Sequence, residues 1–119
     1  MPNMKIYVFV IFLFLFTSKP LFGLKFINGL EDIPIFKEMQ YVEDSLVLFD
    51  KIDGRYVSTE IEGIYKKEEV INFYKRILPN LGWNEIKPLT FERANEILEI
   101  KSNKTNDKIS IIFNIYPKK

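Results

Sequence analysis

The chain has 119 residues, 47% hydrophobic and 28% charged, with 17 Lys and Arg against 16 Asp and Glu. That is enough apolar material for one folded domain, too short for two, and without the positive balance that nucleic acid selects. It contains no cysteine and no histidine, which excludes disulfides, thiol nucleophiles, Cys/His zinc sites and Ser-His-Asp triads, and no cofactor is implied.

Residues 1–23 read as an export signal. Lys5 is the only charge of a short leading region, and an unbroken apolar run follows from Ile6 to Phe16. A helix of that length spans roughly half of a ~30 Å hydrocarbon core, which suits a signal peptide better than a membrane span. Lys19 and Pro20 interrupt the run, and Gly23 offers a small residue for cleavage, with Ser18 as the other choice. The expectation is a processed protein of the periplasm or cell envelope. The alternative is an uncleaved anchor stretching to Ile27, in which case the chain is a membrane-tethered accessory subunit; contact with membrane is expected only in that case.

From Leu24 to Asp44 the apolar residues Phe26, Ile27, Leu30, Ile33, Ile35, Phe36, Met39 and Tyr41 follow no clean period, and Pro34 breaks the middle. This segment (24–44) reads as an irregular lead-in to a single α+β domain over 45–119. In that domain Ser45–Asp50 and the alternating Arg55–Glu62 flank Asp53-Gly54, a hairpin turn in which glycine supplies the positive φ. Val70, Phe73 or Tyr74, Ile77 and Leu81 then recur at three-to-four spacing and predict an amphipathic helix. Pro79 weakens its end and Gly82 is placed for a left-handed cap. Thr90–Ala94 and Ile97–Ser102 predict a second hairpin, 103–107 a polar turn, and Lys108–Tyr116 a closing apolar strand. The expected order is β-β-α-β-β-β: an antiparallel sheet of about five strands with one helix on one face.

In this arrangement Val57, Thr59, Ile61, Leu98, Ile100, Ile109, Ile111, Phe113 and Ile115 face the helix, whereas Tyr56, Ile97, Ile112 and Tyr116 face away from it. With either Val47 and Phe49 or Leu46 and Leu48, these four form an apolar patch of the kind that monomers seldom leave wet. They are the candidate binding residues. The expected cover is the lead-in, with Ile33, Ile35, Phe36 and Met39 lying across the patch, or else a partner.

The run from Val47 to Trp83, with its FD…GR hairpin followed by FY and LP-x-LGW, resembles an uncharacterised family of small exported proteins of alphaproteobacteria, the rickettsia-like members in particular. The resemblance continues more loosely through FERANEILEI to the closing strand. It implies export and assigns no catalytic residue.

Other chemistry is thin. Asp50, Asp53 and Gly54 lack the spacing of a calcium loop. Glu60 and Glu62 share one strand face and would be the pair for a carboxylate-only hydrolase, but two glutamates on a wet strand face are ordinarily solvated. Trp83 reads as packing helix onto sheet, against the alternative of a stacking platform for a ligand. Lys66-Lys67 and Lys118-Lys119 carry only two charges each. The expectation is therefore an exported, non-enzymatic binding module whose partner is an envelope protein or a small ligand.

Overall fold

The computed structural model describes residues 25–119. The signal segment read over 1–23 lies outside the described residues, as does Leu24. The described chain is α+β, with one α-helix and a mostly antiparallel set of strands in a seven-stranded sheet and a separate two-stranded hairpin.

The hairpin comprises β1 (Phe26–Ile27) and β2 (Leu30–Pro34), turning at Gly29 with φ 88°. Next, β3 (Gln40–Tyr41) and β4 (Val47–Lys51) lie one after the other along the same edge of β5 (Gly54–Gly63). The helix α1 (Lys67–Ile77) runs into a 3-10 turn at Leu78–Leu81, followed by β6 (Asn84–Lys87), β7 (Thr90–Arg93), β8 (Glu96–Thr105) and β9 (Lys108–Pro117). Across the sheet the order is β3 and β4, then β5, β9, β8, β7 and β6.

This corrects the expected β-β-α-β-β-β order. Two strand-forming regions carry no periodic signal: β1, β2 and β3 are short pieces around Pro34, and Asn84–Lys87 is exposed at every position. The polar turn expected over 103–107 shrinks to Asn106-Asp107, because β8 stays paired with β9 as far as Thr105.

Burial alternates along β9, where Ile109, Ile111, Phe113 and Ile115 are buried, and in register along β5 and β8 at Val57, Thr59, Ile61, Leu98 and Ile100. This inner face receives α1. Val70, Tyr74 and Leu78 are the buried row of the helical segment; Ile77, expected in the core by its spacing, is half-buried on the flank. Glu68 and Glu69 in the first turn and Lys75 and Arg76 in the last complement the helix dipole. The helix ends where Pro79 lacks an N–H. Gly82, at φ 92°, then adopts the left-handed cap and its N–H reaches the carbonyl of Pro79.

The lead-in does not cross the opposite face; it packs on the inner face beside the helix. Ile27, Leu30, Ile33, Phe36 and Met39 are all buried in the one core with Val57, Ile61 and Tyr74. Tyr74 fixes the contact: its hydroxyl donates to the carbonyl of Pro34 at 2.8 Å and accepts from the N–H of Phe36 at 3.1 Å. The physical reason is width. Six strand positions at about 4.8 Å spread over roughly 24 Å, whereas a helix with its side chains covers about 10–12 Å, so the inner face needs a second cover.

Candidate functional site

With helix and lead-in both committed to the inner face, the outer face carries no described element. Register decides which side chains reach it. Val47 pairs with Ser58 and Phe49 with Tyr56, so Val47 and Phe49, rather than Leu46 and Leu48, share a side with Tyr56. Ser58 pairs with Asn114, Glu60 with Ile112, and Ile97 with Tyr116, which places Ile112, Tyr116 and Ile97 on the same side.

The four candidate binding residues thus share a face but differ in exposure. Tyr56, Ile112 and Tyr116 are half-buried, while Ile97, opposite Tyr116, is only 8% exposed. Sequence reasoning missed how much Val47 and Phe49 contribute: they are 53% and 45% exposed. The rings of Phe49 and Tyr56 stack with centroids 5.1 Å apart at 10°, and the Lys51 ammonium lies 5.6 Å and 5.2 Å from the two centroids. Val47, Phe49, Tyr56, Ser58, Asn114 and Tyr116 surround a shallow depression of about 220 Å³.

The two phenols of this face are held neutral, beside Lys51 and Glu99. The Tyr56 hydroxyl donates to Asp53 at 3.1 Å, and desolvation together with that bond holds it above the ordinary tyrosine value. Desolvation and the neighbouring Glu99 raise Tyr116 as well. Both phenols are neutral near pH 7, each an aromatic body with a polar tip.

A volume of about 220 Å³ falls below the roughly 300–1,000 Å³ of pockets that enclose drug-sized ligands, so this surface suits a macromolecule better than a small molecule. Among the described residues no group of three or more His, Cys, Asp and Glu could hold a metal ion, and no helix is long and apolar enough to cross a membrane.

The remaining sequence candidates are placed elsewhere. Trp83 is fully buried, with the Arg93 guanidinium carbon 4.2 Å from its ring centroid, and it offers no face to a ligand. Glu62 lies 3.4 Å from the Lys108 ammonium, and Glu60 sits between Ser45 and Ile112, its N–H donating to the Ser45 hydroxyl. Lys66 and Lys67 line a groove of about 520 Å³ with Lys104, but Glu68, Glu69 and Asp107 line it too and balance its charge. Lys118 pairs with Glu92, closing the end of the sheet beside Ile97. Comparison with protein-family models, with curated proteins and with solved structures gives no match in any of the three.

Proposed function

We propose that the chain is an exported, non-enzymatic protein of the cell envelope that works as a binding module, and that its partner is a protein seated on the outer face of the sheet. The observation that carries this reading is the asymmetry of cover. The inner face is closed by both α1 and the lead-in, yet Val47, Phe49, Tyr56, Ile112 and Tyr116 stand on a face with no described element over them. Aromatic residues with polar tips around an apolar centre are the composition from which protein interfaces draw their strongest contacts. The leading apolar run and the resemblance carried by the FD…GR and LP-x-LGW motifs agree with export.

The test is cross-linked capture from the native envelope by the wild type and by the double variant Ile112→Ser with Tyr116→Ser. Ile86→Ser serves as control, since Ile86 is 53% exposed on β6, away from the patch. The expected result is loss of capture in the double variant alone, at a melting temperature close to wild type. Equal capture by all three would remove the outer face as the site. N-terminal sequencing of the envelope fraction tests export, and an intact Met1 there would favour the tethered form.

A further inference from the structure

The free edge of β4 has its own chemistry, independent of the apolar face beside it. β4 pairs with β5 on one side, and no described strand pairs with its other edge. Val47, Leu48 and Phe49 are 53%, 56% and 45% exposed, so side chains on both surfaces of this strand meet water. Natural proteins blunt such edges with charge, proline or bulges, and none of these interrupts Val47–Phe49.

We infer that β4 pairs antiparallel with β4 of a second copy, about a two-fold axis through Leu48 and perpendicular to the sheet. This goes beyond the binding-module reading and does not depend on it, because the contact is the edge of β4 and not the outer face.

The register follows from charge and from face. Two-fold antiparallel pairing keeps outer residues opposite outer residues, so only registers centred on a residue are allowed. Centred on Leu48, Val47 of each copy meets Phe49 of the other on the outer face, an aromatic with β-branched pair made twice, and Leu48 meets Leu48 on the other side. Lys51 then comes opposite Ser45 and beside the turn at Glu43 and Asp44, where Asp44 has φ 63° and both residues are exposed. Neither acid makes a salt bridge among the described residues, and Lys51 has only its ring contacts. Lys51 thus approaches an acidic turn at each end, while Asp50 comes opposite Leu46. Only this register sets Val47, Leu48 and Phe49 all against apolar residues. Centring on Val47 sets Phe49 against Ser45 and Asp44 against Asp50, centring on Phe49 sets Val47 against Lys51 and Leu48 against Asp50, and centring on Asp50 sets that residue against itself. The stacked Phe49 and Tyr56 of each copy would then join across the axis into one aromatic stripe.

With only Val47, Leu48 and Phe49 of each β4 opposite β4 of the other copy, the contact is small beside the roughly 800 Å² per partner of a stable interface, so the dimer is expected to be weak, dissociating on the order of micromolar concentration. Sedimentation velocity decides the matter, using the full chain with its N terminus as found in the native envelope. The wild type is expected to move from monomer towards twice that mass as concentration rises through the micromolar range. Leu48→Lys and Leu48→Asp, each placing like charges on the axis, are expected to stay monomeric, and an equimolar mixture of the two to associate again. In this cysteine-free chain Leu48→Cys is expected to form a disulfide-linked dimer on mild oxidation much faster than Ile86→Cys, which is similarly exposed. A wild type that stays monomeric, a Leu48→Lys variant that associates like wild type, or equal cross-linking at the two positions overturns the proposal. A monomeric chain whose capture of an envelope protein is lost with Ile112→Ser and Tyr116→Ser overturns self-pairing and leaves the binding-module reading standing. Association controlled by position 48 with capture indifferent to those two changes supports self-pairing and removes that reading.

Discussion

Removing one oxygen atom, with Tyr74→Phe, tests whether the lead-in is part of the domain's core. The Tyr74 side chain is fully buried, packed edge-on against Phe113 at 5.1 Å and Phe73 at 4.9 Å, and Phe retains those ring contacts. What disappears is the hydroxyl that serves the carbonyl of Pro34 and the N–H of Phe36, both in buried residues. Each buried backbone group left without a partner costs about 1–3 kcal/mol, so the expected loss for the two is about 2–6 kcal/mol, against about 5–15 kcal/mol for a whole domain. In a domain of this size that lowers the melting temperature by roughly 10 °C or more. Urea titration should show a lower midpoint, and hydrogen exchange should show the Phe36 amide losing protection. A change below about 0.5 kcal/mol would refute the argument, since it would mean that water already serves both groups. The same hydroxyl predicts a pH effect. Burial holds Tyr74 well above the ordinary value of 10.0, so the folded state favours the neutral phenol. Its contribution is complete below pH 10.0 and is lost as pH rises towards the folded value, at about 1.4 kcal/mol per pH unit. Alkaline stability should therefore fall more steeply in wild type than in Tyr74→Phe.

Trp83→Ala empties a fully buried site and should lower stability by about 3–5 kcal/mol in thermal or urea unfolding. Trp83→Phe should lose far less, because the indole N–H it removes has no partner among the described residues. Arg93 stacks on Trp83, donates to the carbonyl of Leu81 at 3.0 Å and pairs with Asp32 at 2.7 Å. Arg93→Ala should therefore lose about 1–3 kcal/mol. Asp32→Ala should lose under about 1 kcal/mol, since that carboxylate is half exposed; equal losses in the two variants would contradict this. Gly54→Ala should lose about 1–2 kcal/mol, because φ is 141° there and an added Cβ would lie 3.0 Å from Pro117 Cγ.

The elements legible from sequence were those whose pattern is local. Arg55–Glu62 and Lys108–Tyr116 alternate because each strand buries one face, and the segment from Val70 to Leu81 repeats at helical spacing because one stripe is buried. Pro79 and Gly82 mark its end by backbone chemistry alone. From these the α+β class, the two hairpins and the division of the sheet into two faces could be read. Composition alone removed cysteine and histidine chemistry.

The lead-in and β6 were not legible, because their structure is imposed from outside. Phe26–Tyr41 is held by the width of an inner face that one helix leaves partly bare, and by the Tyr74 hydroxyl 40 residues beyond Pro34. Asn84–Lys87 is a strand only because β7 offers it an edge. The same long-range facts decided the candidate site. Which residues alternate to the outer face follows from strand period, so Tyr56, Ile97, Ile112 and Tyr116 could be named in advance. That the lead-in goes to the other face, that Val47 and Phe49 join the patch in place of Leu46 and Leu48, and that Ile97 is buried were decided by register and by tertiary packing. A one-residue slip of β4 would exchange those pairs, and nothing in its own five residues forbids that slip.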